Sequence, residues 1–529
     1  MLNARIKQKR SLTWSQATAP LGRPGARTGN AGSEMNGSSE REKVHTDKRS
    51  RGTEYAFSSL PGNVANGLHP LTERKLNSQF YSYERNVKFA FDAIEPTLKQ
   101  MSSLRNGDQF EANAMRLIKE KLGFDIPSSL LADYWVQQVD MRRLYAWCLF
   151  ETYQRYCNSF ASEFPVTTSD EEFQAFLQEC GFHTLDISPC ADGRLAHVIS
   201  YVLRLPYRTV RRKSYAGAMF DIEDSLDKWV ETEMIRFREG GTVNSALPTR
   251  YLKAVVYHFS SRDPDNEGCA AHGSDAELAA QSGRERLKAF KQAVENTYCC
   301  GASIENLLIG LDTDTDVIRV HVPDENGGID TDSYIDAREV YFATQTMQKE
   351  LAQQWIIDLV EGANPSMHEG MVKLIACLLT NNISQIDYVQ TFYGGCYEDI
   401  GHAERFIGAG IGFEEVQLRN LTYFAYLNTV EEAANDIDVG IKIFTKLNIL
   451  RGLPVPVIVR YDYHGNVPGA RERAVEHCNR VSGALRSRYP ELHEKGLLHT
   501  LMVIKDVNTP NSIELLDCSI STQATQEAH

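Results

Sequence analysis

A chain of 529 residues with 42% apolar and 24% charged side chains is too long for one hydrophobic core, so two to four globular domains are expected. A net charge of −14 argues against general nucleic-acid binding, and the longest apolar runs, such as residues 374–379, fall far short of a membrane span. Eleven irregularly spaced cysteines, with no apolar leader behind the basic first ten residues, suit metal ligation and buried thiols better than a disulfide framework.

Residues 1–68 are rich in Ser, Gly, Arg, Asn and Thr and lack periodic apolar positions, which predicts a disordered arm. Its first 52 residues hold 11 Lys/Arg against 4 Asp/Glu, a local charge of +7 that leaves about −21 on the remainder. A basic arm on an acidic body suits tethering to an acidic partner; a solubilising tail and an organelle transit peptide are the alternatives. Residues 69–164 read as a helical domain. Phe80, Tyr83, Val87, Phe91 and Ile94 recur at spacings of three or four, and a second helical pattern runs from Tyr134 and Trp135 to Tyr156.

In residues 165–398 strands alternate with helices. A strand at 252–259 precedes a helix carrying Arg284-Glu-Arg286, and a strand at 307–311 leads through Asp312-Thr-Asp-Thr-Asp316 into a strand at 317–322. This alternation predicts an α/β domain with a central sheet. The order returns in residues 399–529: a strand at 455–461, a helix carrying Arg471-Glu-Arg473, then a strand, turn and strand at 500–504 and 512–516. Asp186-Ile-Ser-Pro-Cys190-Ala-Asp192-Gly-Arg194 is echoed by Asp399-Ile-Gly-His402-Ala-Glu404-Arg405. An internal duplication is expected, with His402 and Glu404 standing roughly where Cys190 and Asp192 stand. The copy of the Cys269 loop, around residues 465–469, holds no cysteine.

Alternate residues of an extended segment share a face, so Cys190, Asp192 and Arg194 are expected to point into one cleft. Zinc gives such a group a purpose: two cysteines and one histidine supply three ligands and leave a fourth position for water, as in catalytic sites. Arg194 can pair with Asp192 through its planar fork and keep that carboxylate off the metal. Three histidines compete: His272, three residues after Cys269; His258, ending a predicted strand; and His183, near Cys190. Cys299-Cys300 could replace Cys269 but reads as packing. Asp312, Asp314 and Asp316 invite a calcium or magnesium reading, yet lack the glycine and terminal glutamate of an EF-hand, so a hairpin link is favoured. The basic run Arg204, Arg208, Arg211, Arg212 and Lys213 reads as a solvated surface, with a phosphate-bearing effector or partner as the alternative.

The Cys-x-Asp-x-Arg core with His258 and Cys269 resembles the β-class carbonic anhydrases. The flanking blocks narrow this: Cys180-Gly-Phe-His183, Tyr215-Ala-Gly-Ala-Met-Phe-Asp-Ile-Glu-Asp224, Cys269-Ala-Ala-His-Gly-Ser274, Gln385-Ile-Asp-Tyr388 and Asp399-Ile-Gly-His-Ala-Glu-Arg405 are similar to the carboxysomal shell carbonic anhydrases of α-carboxysomes. The resemblance runs from about residue 71 to about residue 507. It implies an α/β fold of duplicated β-carbonic-anhydrase-like domains, one active and one degenerate, behind the helical domain and the arm. The family pattern selects His258, giving Cys190, His258 and Cys269 as ligands of one Zn2+ per chain. Asp192 and Arg194 are then the catalytic pair, and His402 lines the cleft or moves protons. The implied function is reversible hydration of carbon dioxide on the inner side of a carboxysome shell, supplying Rubisco. Rubisco would be bound through the arm, with shell proteins and a homodimer or larger homo-oligomer as further partners. A non-catalytic scaffold tethering Rubisco to the shell is the alternative from another class. A carbon disulfide or carbonyl sulfide hydrolase would share the same core.

Overall fold

The computed structural model describes residues 69–520, except 105–108, 132–138, 161–163, 166–167, 239–248, 299–301, 325, 414–417, 427–433 and 510–512. The arm at residues 1–68, Tyr134, Trp135, Cys299 and Cys300 therefore lie outside the described residues.

Four helices come first: α1 (Arg74–Asp92), α2 (Ile94–Ser103), α3 (Phe110–Leu122) and α4 (Met141–Arg155). The expected apolar stripe is real, since Phe80, Tyr83, Val87 and Phe91 are buried on α1 and Ile94 is buried on α2. Within the second pattern a helix begins at Met141, where the Asp140 carboxylate accepts from the backbone N–H groups of Arg142 and Arg143. These helices share their core with strands far along the chain. The ring of Tyr153 meets that of Phe406 edge-on at 5.2 Å, and Phe80, Phe91, Ile458 and Val503 belong to the same buried cluster.

After α5 (Asp170–Glu179), which opens on a reciprocal Ser169–Glu172 cap, the first sheet begins. It is built from β1 (Thr184–Pro189), β2 (Arg211–Arg212), β3 (Thr249–Phe259), β4 (Ala302–Asp312), β5 (Ile318–His321) and β6 (Ile335–Asp336). Helices α6 (Ile222–Arg238), α7 (Ala276–Tyr298), α8 (Ala337–Thr344), α9 (Lys349–Ala363) and α10 (Glu369–Tyr393) interleave with or follow these strands. The spatial order is β2-β1-β3-β4-β5-β6, parallel as far as β4 and antiparallel beyond it. Residues 254–256 of β3 and 307–309 of β4 are continuous apolar runs because these central strands are buried on both faces.

The second sheet uses β7 (Phe406–Ile411), β8 (Thr422–Ala425), β9 (Val455–Tyr463), β10 (Leu498–Asp506) and β11 (Glu514–Cys518), with α11 (Ala434–Leu447), α12 (Ala470–Arg488) and α13 (Pro490–Glu494). Its order is β8-β7-β9-β10-β11, again parallel until a final antiparallel strand. The crossover β9–α12–β10 repeats β3–α7–β4. The sequence echo around Asp399, however, is out of register with this repeat. Cys190 follows β1, whereas His402 and Glu404 precede β7, so they do not occupy the places of Cys190 and Asp192. A short string carries no record of which end of a strand it adjoins.

The basic run also departs from expectation. Only Arg208 is exposed; Arg204 and Arg212 are buried at 4% and 9% exposure. Arg204 donates to the side-chain oxygens of Asn77 and Gln385, each at 2.8 Å, and its guanidinium lies 4.3 Å over the Phe80 ring. Arg212 donates to the Ala196 carbonyl and covers Phe424, while Arg211 pairs with Asp186 and Asp224 and Lys213 pairs with Asp224. Arg208 apart, the run is thus internal wiring. Asp312, Asp314 and Asp316 sit in the tight turn between antiparallel β4 and β5. There Asp314 accepts from the Ser260 hydroxyl and the Arg262 N–H, and Asp316 accepts from His197, Gln385 and Tyr397.

Arg204→Ala should therefore lower unfolding stability by about 2–4 kcal/mol, since it removes charge-assisted hydrogen bonds and a cation–π contact together. Arg208→Ala should change it by less than about 0.5 kcal/mol. Urea titration of both variants checks the contrast, and equal small effects would contradict it.

Candidate metal centre

Open α/β sheets place ligands at the carboxyl ends of their parallel strands, and the predicted residues gather there. Cys190 directly follows β1, held by its N–H to the Val256 carbonyl at 3.2 Å and by a parallel bridge to Tyr215. His258 is the penultimate residue of the neighbouring β3. Cys269 lies in the loop leaving β3, where it caps a single 3-10 turn, Ala270–His272. Gly268 lets that loop close, since a Cβ there would lie 2.6 Å from the Ser274 carbonyl oxygen. The Cys190 and Cys269 sulfurs stand 3.9 Å apart, and the ligand atoms of Cys190, His258 and Cys269 all lie within 4.8 Å of one another.

All three side chains are buried, and neither ring nitrogen of His258 has a hydrogen-bond partner. An imidazole buried without partners is costly unless something else binds it. The hydrogen bond to Cys269, followed by burial, pushes the Cys190 thiol well up; the same bond pulls Cys269 down. Both sulfurs can be thiolates this close together only with a cation between them. Two sulfurs and one nitrogen form a donor set that fits a metal ion.

Asp192 and Arg194 reach the site by a turn, which corrects the extended-segment expectation. Beyond Cys190 the chain enters a 3-10 turn, Gly193–Leu195, and the Asp192 carboxylate caps it by accepting from the Arg194 N–H at 2.9 Å. The Arg194 fork then grips the same carboxylate, Nε to Oδ1 at 3.0 Å and Nη2 to Oδ2 at 2.7 Å. Its remaining N–H groups donate to the carbonyls of Glu267, Gly268 and Ile400. Burial works against the Asp192 charge, yet Arg194, His402 and His258 together hold its carboxyl well below the usual range. Asp192 Oδ2 lies 3.5 Å from His258 Nε2 and 3.7 Å from His402 Nε2. His402 Nδ1 is in turn 2.9 Å from Glu404 Oε1.

The second sheet closes the cleft. Tyr423 of β8 and Val439 and Ile443 of α11 face Cys190, Asp192, Gly217 and Ala271 across a narrow space. The Phe424 N–H donates to the Ala191 carbonyl at 3.1 Å and the Asn420 N–H to that of Gly193 at 2.8 Å, so β8 is bonded to the turn itself. His272 contacts the Gly217 carbonyl, and His183 pairs with the Arg250 backbone at the opposite end of β3. Neither joins the donor cluster.

Three family models match successive stretches: the N-terminal region of Carboxysome Shell Carbonic Anhydrase over residues 69–161, its catalytic domain over 172–402, and its C-terminal region over 403–520. The chain belongs to the carboxysome shell carbonic anhydrase family. The curated family member of Prochlorococcus marinus strain MIT 9313 is 52% identical over 474 residues, spanning 88% of this chain and 92% of the relative. That of Parasynechococcus marenigrum strain WH8102 is 51% identical over 478 residues, 89% of this chain and 82% of its own. The Halothiobacillus neapolitanus member is 43% identical over 458 residues, 84% of this chain and 89% of its own. With the family comes the enzyme class, carbonic anhydrase.

Sequence reasoning gave no role to Tyr423, Asp436 or Glu404. All three come from the far side of the cleft, and only Glu404 carried a signal, its place beside His402. Asp436 accepts from the Ala216 N–H at 2.9 Å and so pins the lip of the cleft, while the Tyr423 hydroxyl donates to the Asp436 carbonyl. Burial pushes the Asp436 carboxyl up to about 6, and the Ala216 hydrogen bond offsets only part of that. The folded state then binds this proton more tightly than the unfolded state, so the contribution of Asp436 to stability falls as pH rises from about 4 to about 6. Asp436→Asn keeps the acceptor and removes the buried charge. It should raise stability at pH 7 by at most about 3 kcal/mol, with the gain over wild type growing as pH rises from about 4 to about 6. Thermal unfolding across pH 4–8 is the check, and a less stable variant at pH 7 would contradict it.

Proposed function

We propose that this enzyme is a zinc-dependent carbonic anhydrase that interconverts carbon dioxide and bicarbonate, with Cys190, His258 and Cys269 holding one Zn2+ per chain. One observation carries the reading: two buried sulfurs 3.9 Å apart converge with an imidazole whose ring nitrogens have no hydrogen-bond partner, beside a carboxylate already claimed by an arginine fork. When bound, zinc supplies the Lewis acidity that makes a water nucleophilic, and two thiolates leave it less of this than three neutral imidazoles would, because they cancel its +2 charge.

Asp192 is kept ionised by Arg194 and so accepts a hydrogen bond from the reacting water, aiming a lone pair at carbon dioxide. Arg194 needs no contact with substrate for this; its grip on three carbonyls fixes where Asp192 points. Val439, Ile443 and Tyr423 give the apolar molecule a dry wall. His402, 19% exposed, is placed to pass a proton between the cleft and solvent.

The reading also takes the second sheet as a degenerate copy of the first, supported by the shared order of four parallel strands followed by an antiparallel fifth. Its boundaries are those of the sequence: arm 1–68, helical domain 69–164, catalytic domain 165–398 and degenerate domain 399–529. The curated relatives are named for the carboxysome shell, and the location proposed here follows them: inside a carboxysome, beside the shell, where the product supplies Rubisco. The +7 charge of the first 52 residues supports the arm as the Rubisco tether.

Stopped-flow hydration of carbon dioxide, with zinc measured on the same sample, tests the reading. Cys190→Ser should lose the metal and about 100-fold or more in rate, whereas Asp192→Asn should keep the metal and lose a comparable factor. Full turnover by metal-free protein would sink the proposal. The rate of the wild type should climb from neutral towards alkaline pH, and a profile flat from pH 9 down to pH 6 would contradict the two-thiolate argument.

A further inference from the structure

Glu404 lies on the second-sheet side of the cleft and is buried to 2% exposure. One oxygen, Oε1, takes two partners: the Gly193 N–H at 3.0 Å and His402 Nδ1 at 2.9 Å. Gly193 is the residue between Asp192 and Arg194, and a Cβ there would lie 2.3 Å from Glu404 Cγ. The carboxylate is therefore seated on the peptide of the Asp192–Arg194 turn. Its second oxygen, Oε2, is buried and has no hydrogen-bond partner. A carboxylate kept this dry, with one oxygen shared between a backbone amide and an imidazole, does more than fill space.

We infer that Glu404 is a positioning residue for His402, holding the neutral imidazole with its proton on Nδ1 and its Nε2 lone pair towards the cleft. This rests on the proposed proton-passing role of His402. Carboxylate–imidazole pairs of this kind fix both tautomer and ring orientation. A water in the cleft then gives a proton to the Nε2 lone pair, and the hydroxide left adds to the carbon of carbon dioxide to give bicarbonate. The resulting imidazolium keeps its Nδ1–H bond to Glu404, and the Nε2 proton leaves to buffer, restoring the neutral ring. The charged groups around the ring are Asp192, Glu404 and Arg194. The two carboxylates favour the imidazolium and Arg194 opposes it. His402 is pushed up to about 9 because, although burial lowers it, Asp192 and Glu404 outweigh burial.

A purely structural role for Glu404, anchoring the Gly193 peptide, makes a different prediction. Glu404→Gln keeps an acceptor oxygen for Gly193 but removes the charge that holds the imidazolium. Exchange of 18O among carbon dioxide, bicarbonate and water separates interconversion at equilibrium from release of label into water, which depends on proton transfer. At about pH 9, where the wild-type His402 is matched to the medium, we expect zinc-replete Glu404→Gln to keep interconversion within about twofold of wild type and to lose about tenfold or more in label release, restored by added imidazole buffer. Equal loss of both rates, unrestored by imidazole, would show an anchor only, and no loss in either would also overturn the inference. His402→Ala run alongside separates the layers. If it leaves label release unchanged, the proton-passing role of His402 fails. If it is impaired and Glu404→Gln is not, only the role of Glu404 fails. A readout independent of turnover uses the wild type labelled with 15N-histidine, the His402 signals being those absent from His402→Ala. Above about pH 9, where the ring is neutral, it should be protonated on Nδ1, and a proton on Nε2 instead would refute the inference even if Glu404→Gln failed to fold.

Discussion

The buried pair of Asp192 and Arg194 is the interaction on which the site depends. Arg194 is fully buried, and a guanidinium in such a place is tolerated only when its charge is matched and its N–H groups are satisfied. Asp192 matches the charge, and the carbonyls of Glu267, Gly268 and Ile400 take the remaining donors. Those carbonyls belong to two separate loops, one leading into Cys269 and one leading into His402. A single side chain thus sets the spacing between a candidate metal ligand, the carboxylate beside it and the histidine across the cleft. Removing it would leave a buried carboxylate unpaired and two loops untethered at once.

The second sheet explains why the first is not enough. The turn after Cys190 is a short irregular segment, and its Ala191 and Gly193 carbonyls are satisfied by N–H groups of residues 424 and 420. Tyr423, Val439 and Ile443 then close the cleft with apolar surface. A water-excluding wall strengthens every electrostatic contact within it, which is how a carboxylate, an arginine and two histidines can act on one another over a few ångströms. The first sheet brings the sulfurs and the imidazole together, while the second makes the environment in which they can act.

The helical region is bound into the same body by polar contacts as much as by apolar ones. Arg204 bridges α1 and α10, and Glu84 of α1 accepts from the Tyr388 hydroxyl of α10 while pairing with Lys88. Alongside, Asp316 at the β4–β5 turn receives three buried donors. Such networks are costly when incomplete and rigid when satisfied. They hold the carboxyl ends of the first sheet's strands against the helices that back them.

The α/β alternation, the apolar face of α1 and the paired Cys-x-Asp-x-Arg and His258–Cys269 strings were all legible in the sequence. Each is a local pattern: the period of a helix, a run of buried strand, or residue types that suit one metal. The sequence also placed His258 over His272, through a resemblance that spacing alone did not supply. It misjudged what depends on which end of a strand a residue adjoins. The Asp399 string looks like the Asp186 string, yet precedes its strand where the other crosses its own. Nor could it tell that Arg204 and Arg212 point inward, since a charge run reads as surface until its partners, here from residue 77 to residue 424, are brought beside it. Sequence by itself determined which atoms are available for chemistry. Tertiary structure decided which of them meet, because Glu404, Tyr423 and Asp436 reach the cleft only when the second sheet folds across the first, and no local period encodes that approach.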